Sequence, residues 1–355
     1  WPMIANIRQI SQQLLNPCFN SPKEVVSWMG AIQGQDYAMA KWAVGIRLKS
    51  PTLRAVEDAL ARGEIIRTHV MRPTWHLVAA EDIRWMLKLS AQRIKSANDS
   101  FAKGHGVDIS EALFSRCNRL IEKLLEGNKS LTKQEIEAGL ANEGMTVDNR
   151  LMTRFMARAE VEGIVCSGVD KGKKATYALL EERVPPVKEL TKDEALATLA
   201  LRYFRSHSPA SLTDFVWWSG LSVTEARTAM GLIDSQLVKE RFDSYELFVH
   251  ESYQGEINSA DILHFLPSYD EYLISYKEHK TVLAEEHHPK AFNTYGIFYP
   301  VILYNGKVVG NWKKTVGKNK KIEIVTSFFE GCPRIHKEMI EQAESRLRVF
   351  YSESD

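Results

Sequence analysis

Three helical segments followed by a β-rich hairpin recur three times along the chain, and a strand-rich stretch comes after them. This order predicts an α+β fold: tandem winged-helix (helix-turn-helix) units followed by a small C-terminal β-barrel-like domain. The strongest local signal is Asn305-Gly306, set between Val301-Ile302-Leu303-Tyr304 and Lys307-Val308-Val309 as a two-residue hairpin turn.

The first unit is expected over 1–80. Ile4, Ile7, Ile10, Leu14 and Leu15 mark an amphipathic helix that stops at Asn16-Pro17. A second helix opens at Ser21-Pro22-Lys23-Glu24 and a third carries Tyr37, Met39, Trp42 and Ile46. Thr52 begins a short further helix with a capping pattern. Glu64 to Val78 is β-rich with a break at Pro73, which predicts a two-strand wing. A helical connection spans 81–110, through Ile83, Met86, Leu87 and Ile94.

The second unit covers 111–184, with helices from Phe114, from Thr132 as N-cap, and from Asp148. Its wing has a Gly/Lys tip at Lys171-Gly172-Lys173-Lys174. Pro185-Pro186 marks a boundary, and the third unit runs over 185–255. There Phe215, Trp217 and Trp218 read as core rather than as stacking platforms. Residues 256–355 form the C-terminal β domain, with Ile335 to Phe350 as its closing helix.

Composition narrows the function classes. The 355 residues, 44% of them hydrophobic, suffice for two or three domains with real cores. Lys and Arg number 46 against 45 Asp and Glu, so any nucleic-acid binding must come from local patches rather than a global basic field. The four cysteines show no C-x-x-C spacing, which argues against a zinc module or a disulfide framework. No apolar run approaches the ~18 residues of a membrane span, and no signal-peptide pattern is present. A soluble, cytoplasmic monomer without cofactor or metal is expected. His287-His288 lacks spaced partner ligands and reads as loop.

Ile32-Gln33-Gly34-Gln35-Asp36 lies between two of the helices of the first unit. On a helix Gln33 and Gln35 would point about 200° apart. They can share a target only where the backbone is extended or turned, and Gly34 makes a turn plausible. Two amides there could hold a water molecule or read a base edge. Taken alone, the triplet reads as ordinary surface.

Four stretches together are similar to one family: Arg72-Pro73-Thr74-Trp75-His76-Leu77-Val78, Pro209 to Leu221, Leu266-Pro267-Ser268-Tyr269-Asp270-Glu271-Tyr272-Leu273, and Gly306 to Trp312. They resemble the winged-helix DNA-binding proteins that include the AlkZ-type DNA glycosylases, in the same order along nearly the whole chain. The resemblance implies excision of alkylated bases, unhooking of interstrand crosslinks, and a Gln-x-Gln motif in the first winged helix. That motif falls on Gln33 and Gln35 as the catalytic pair. Its middle position is usually a larger apolar residue, and here it is Gly34.

A glutamine amide is no general base, but it can orient water if the leaving group is already activated. An N7-alkylated purine is cationic, so positioning water and stabilising a sugar cation is the remaining task. Asp36 is either an N-cap or an electrostatic stabiliser. No lysine sits in the motif, so a Schiff-base lyase step is not indicated.

The DNA partner is expected to be duplex. Arg72, Thr74 and His76 would alternate on one strand face, with His69 on the other. They read either as a polar face under a loop or as contacts to phosphate or the damaged base. The densest charge run extends from Lys307 to Lys321, with Lys313, Lys314, Lys318 and Lys320 as its candidate contacts, and Lys173 and Lys174 form a smaller one. Each is either a solvated hairpin tip or a phosphate contact. The function expected is hydrolysis of the N-glycosidic bond of alkylated (N7-type) or crosslinked bases in duplex DNA by a monofunctional glycosylase. The alternatives are a non-catalytic winged-helix DNA-binding or regulatory protein, and a protein-interaction scaffold.

Overall fold

Side-chain caps written into the sequence start many of the helices. The computed structural model describes residues 2–255 and 260–352. The fold is α+β, and its hairpins and its four-stranded sheet are antiparallel. Two compact units are present: one of residues up to Glu57 together with those from Leu196 on, the other Asp58–Ala195. No helix among the described residues is long and apolar enough to cross a membrane.

The first unit begins with α1 (Pro2–Ser11), α2 (Pro22–Met29), the short strand β1 (Ile32–Gln33) and α3 (Tyr37–Gly45). The Ser21 hydroxyl accepts from the Glu24 amide while the Glu24 carboxylate accepts from the Ser21 amide, a reciprocal cap. Gly30, at φ 79°, ends α2. Helix α4 (Leu53–Ala61), started by the Thr52 hydroxyl, spans the division between the units.

In the second unit, β2 (Ile65–His69) and β3 (Trp75–Ala79) form a hairpin, followed by the long helix α5 (Ile83–Gly104). Ser110, Thr132 and Asp148 cap α6 (Glu111–Leu125), α7 (Lys133–Asn142) and α8 (Asn149–Val161). Their apolar faces close on a core of Phe114, Ile121, Leu125, Ile136, Leu140, Met152 and Phe155. Arg158 on α8 is buried, lies over the Phe114 ring at 3.8 Å and is neutralised by Asp99 and Glu111. The hairpin of β4 (Val165–Ser167) and β5 (Tyr177–Leu179) follows, then the short α9 (Leu180–Arg183).

Helix α10 (Lys192–His207) crosses back into the first unit, where α11 (Leu212–Ser219) and α12 (Val223–Leu232) precede the hairpin of β6 (Leu237–Phe242) and β7 (Tyr245–His250). Ser211 with Asp214, and Ser222 with Glu225, make two more reciprocal caps. Phe215 and Trp218 are fully buried, as expected of core. Trp217 is not: it is 36% exposed, its indole donates to the Ile274 carbonyl at 3.0 Å, and Lys277 lies 4.5 Å over its ring. Adjacent helix positions diverge by about 100°, so Trp217 and Trp218 cannot both face inward.

The remainder comprises β8 (Leu263–Leu266), α13 (Glu271–Ile274), α14 (His288–Ala291), β9 (Val301–Tyr304), β10 (Lys307–Val316), β11 (Ile322–Phe328) and α15 (Lys337–Ser352). The sheet order is β11-β10-β9-β8, so it stays open, with β8 and β11 as edges among the described residues. Asn305 at φ 48° and Gly306 at φ 80° make the turn that Asn-Gly predicts. Strand β8 escapes sequence reading because all four of its residues are buried, which removes the alternation that betrays a strand. The expected boundary near 256 lies outside the described residues.

This sheet and α15 brace the first helices. The Trp42 indole on α3 donates to the Phe265 carbonyl and the Trp312 indole on β10 to that of Leu266, each at 2.7 Å. Arg47 makes a buried, two-pronged pair with Asp270 at 2.8 and 2.9 Å. The Phe350 ring lies so close to Gly45 that a Cβ there would sit 2.3 Å from it.

Candidate active site

The Gln-Gly-Gln motif sits on extended and bent backbone, not on a helix. Gln33 ends β1, Gln35 and Asp36 form a bend, and α3 starts at Tyr37. The ~200° divergence that a helix would impose is therefore gone. Gly34 is not among the residues with positive φ, so the turn does not draw on glycine's left-handed freedom. Gln33 is buried at 4% exposure, and its Oε1 has no hydrogen-bond partner among the described residues. Gln35 is exposed.

Asp36 settles into the N-cap role. Its Oδ1 accepts from the Met39 amide at 3.1 Å. Its other oxygen, Oδ2, accepts from the Ser268 hydroxyl at 3.2 Å. Three further groups feel its charge. Burial raises the Tyr269 phenol, with Asp36 and Tyr299 adding to the rise. Burial raises the Tyr351 phenol too, again assisted by Asp36. Burial lowers the Lys314 ammonium, against the pull of Asp36. The Lys314 Nζ stands 3.6 Å over the Tyr351 ring, a cation–π contact.

Lys314 thus departs from the other lysines of its run. Lys313, Lys318 and Lys320 are exposed, with Lys318 and Lys320 in the turn between β10 and β11. Lys307 turns inward and donates to the Thr281 carbonyl at 2.6 Å. In the second unit, Lys173 and Lys174 are exposed between β4 and β5, while Lys171 pairs with Glu135.

The β2–β3 hairpin corrects one expectation. Arg72, Thr74 and His76 do not share a strand face. Arg72 and Thr74 lie in the turn, since β2 stops at His69 and β3 starts at Trp75. Only His76 is on a strand, and it is buried at 1% exposure opposite Thr68. Its Nδ1 meets the Thr74 carbonyl at 3.0 Å. Burial, with the Arg72 charge next in size, depresses the imidazole to about 3, so the ring is neutral at pH 7. His69 does lie on the opposite face. Its Nδ1 meets the buried carboxylate of Glu160 on α8, and its ring lies 3.9 Å from that of Trp75. Arg67 covers the same indole at 4.2 Å.

Sequence reading misses Ser268, Tyr269, Tyr351 and Glu160. The signal for the first two is the Leu266–Leu273 stretch, diagnostic of family in the sequence but silent there on chemistry.

A model of the family described as AlkZ-like DNA glycosylases matches residues 26–347, and the chain belongs to that family. The interstrand DNA cross-link repair glycosylase of Streptomyces sahachiroi is 24% identical over 320 residues, 86% of this chain and 85% of the relative. The solved structure of the Streptomyces sahachiroi DNA glycosylase AlkZ has the same fold, with TM-score 0.80 at 22% identity over 98% of this chain and 96% of that one.

Proposed function

We propose that this protein hydrolyses the N-glycosidic bond of cationic, N7-alkylated purines in duplex DNA, including those held in an interstrand crosslink. The observation that carries the reading is Gln33: a buried amide whose Oε1 has no partner among the described residues, two positions from an exposed Gln35, in a member of this family. A buried carbonyl oxygen without a partner is costly unless a ligand or water uses it. In the reaction, Gln33 and Gln35 orient the water that attacks C1′ as the C1′–N9 bond breaks, the bonding pair leaves with the base, and the new C1′ hydroxyl gives up its extra proton to bulk water. The positive charge of the alkylated base is discharged as it leaves, so no strong acid is needed. The Asp36 carboxylate stabilises the developing sugar cation through space.

The three helix-and-hairpin units serve as winged helices that hold the duplex. His69, Lys173, Lys174, Lys313, Lys318 and Lys320 contact phosphate, and Arg72 and Thr74 approach the backbone from their turn. The open sheet with α15 is the barrel-like part, and its role is to brace the motif.

The test is release of N7-methylguanine from alkylated duplex DNA, with a crosslinked duplex beside it. Wild type should release base from at least one. A folded Gln33→Ala, Gln35→Ala variant should lose at least roughly 100-fold in rate. Absence of release from both substrates by wild type would overturn the reading.

A further inference from the structure

In the first unit, the segment between α14 and β9 is an exposed loop with a rigid base. The Phe292 and Phe298 backbones bridge, and their rings lie 5.2 Å apart. The His279 ring packs 5.0 Å from Phe292. Inside the loop, the Asn293 side-chain oxygen accepts from the amides of both Tyr295 and Ile297, at 2.9 and 3.1 Å. Its NH₂ donates to the Tyr299 hydroxyl at 3.2 Å. The Asn293 amide donates to the Ile297 carbonyl at 3.0 Å, and that of Gly296, at φ 79°, to the Asn293 carbonyl at 3.2 Å.

What this ordered frame displays is apolar. Tyr295 is 89% exposed, Ile297 41% and Tyr299 38%. A large aromatic held out in water on a pre-ordered turn has already given up the freedom it would otherwise surrender on binding. The loop also adjoins the motif. The Phe298 ring lies 6.3 Å from that of Tyr269, whose chain neighbour Ser268 donates to the Asp36 carboxylate at 3.2 Å. Tyr269 itself holds φ 57°, a conformation that a bulky side chain adopts only under constraint and that tends to accompany function.

We infer that the loop from Phe292 to Tyr299 is a duplex-entering finger, with Tyr295 and Ile297 as the wedge and Tyr299 and Tyr269 connecting it to the Gln-Gly-Gln site. The inference rests on the glycosylase reading and deepens it by assigning how the duplex is opened beside the lesion. Apolar wedges pry apart base steps in a groove, and aromatic rings stack on bases whatever their identity. Asn293 and Gly296 shape the turn, and the side chains at its tip touch the DNA. The lysines supply charge, whereas the finger supplies none, so its contribution is independent of salt.

The experiment uses a duplex with a tetrahydrofuran abasic analogue beside 2-aminopurine, and the full chain as wild type, as a Tyr295→Ala, Ile297→Ala variant and as Tyr295→Trp. Both positions are exposed, so equal melting temperatures are expected and are measured as the control. Wild type should raise 2-aminopurine fluorescence on binding. The double alanine variant should lose that rise and bind roughly tenfold more weakly, with an unchanged slope of log K against log salt. Tyr295→Trp should retain the rise. A double variant that matches wild type in fluorescence and affinity overturns the finger alone. A wild type that neither binds the duplex nor releases base overturns the glycosylase reading and the finger with it.

Discussion

The Ser268 hydroxyl holds Oδ2 of Asp36 at 3.2 Å while the Met39 amide holds Oδ1, so one carboxylate both caps α3 and is fixed beside Gln35. The two roles left open by the sequence are thereby separable. Asp36→Asn keeps a capping oxygen and removes the charge, and should cost roughly tenfold in base release with little change in stability. Asp36→Ala should also lose about 1 kcal/mol of stability. Base release and urea unfolding of the two variants check this. Equal release by wild type and Asp36→Asn would leave the residue as a cap only.

Gln33 sets stability against activity. Its buried Oε1 has no partner among the described residues, so Gln33→Leu removes an unsatisfied acceptor. The variant should unfold at the same urea concentration as wild type or a higher one while losing base release. A clear loss of stability would show that the amide is structural.

Phe350 and Gly45 meet where α15 packs on α3. Gly45→Ala puts a Cβ 2.3 Å from the Phe350 ring and should destabilise by roughly 1–3 kcal/mol. Phe350→Leu should be less harmful in that background than in wild type, which a double-mutant cycle by thermal melting measures.

Acid should weaken the protein at His76. Burial, then the Arg72 charge, hold this imidazole at about 3, whereas the unfolded chain titrates near 6.5. Between those values the unfolded state binds a proton that the folded state does not. The stability is therefore intact above about 6.5 and falls as pH drops toward 3. From pH 6.5 to 5 the loss is roughly 2 kcal/mol from this residue. His264, also depressed to about 3 by burial first and Arg346 next, adds a similar slope. Urea unfolding at pH 7 and pH 5 should show the drop, and His76→Gln should shrink it.

The exposed lysines should act through salt. Replacing Lys318 and Lys320 with Ala should weaken binding evenly across sequences and lower the slope of log K against log salt by about one for each phosphate left without its lysine. Lys314→Ala should instead act on base release, because its ammonium lies on the Tyr351 ring and is attracted by the Asp36 charge. Identical salt behaviour of the three variants would contradict that division.

What is legible in the sequence is local. Ser21 with Glu24, Thr132 with Glu135 and Asn305-Gly306 act within a turn or two, and each appears where the spacing places it. Family likeness marks the Gln pair, whereas the extended and bent backbone that carries it does not depend on a left-handed glycine. The rest of the site is hidden by distance. Ser268 reaches Asp36 from 232 residues away, and Glu160 reaches His69 from 91. The polar stretch from Arg72 to His76 has the look of an alternating strand, but Pro73 falls in a turn, and the period of two has no meaning there.

The Arg47–Asp270 pair has a consequence for synthesis. The ribosome delivers Gln33 and Gln35 ahead of their supports: Arg47 waits for Asp270, 223 residues later, and the carbonyls of Ile46 and Leu48 wait for Arg346, 300 and 298 residues later. The unit Asp58–Ala195, with a core of its own, can fold in the interval. The motif is thus made well before its supports, so chains terminated ahead of Asp270 carry the glutamines without the frame that holds them.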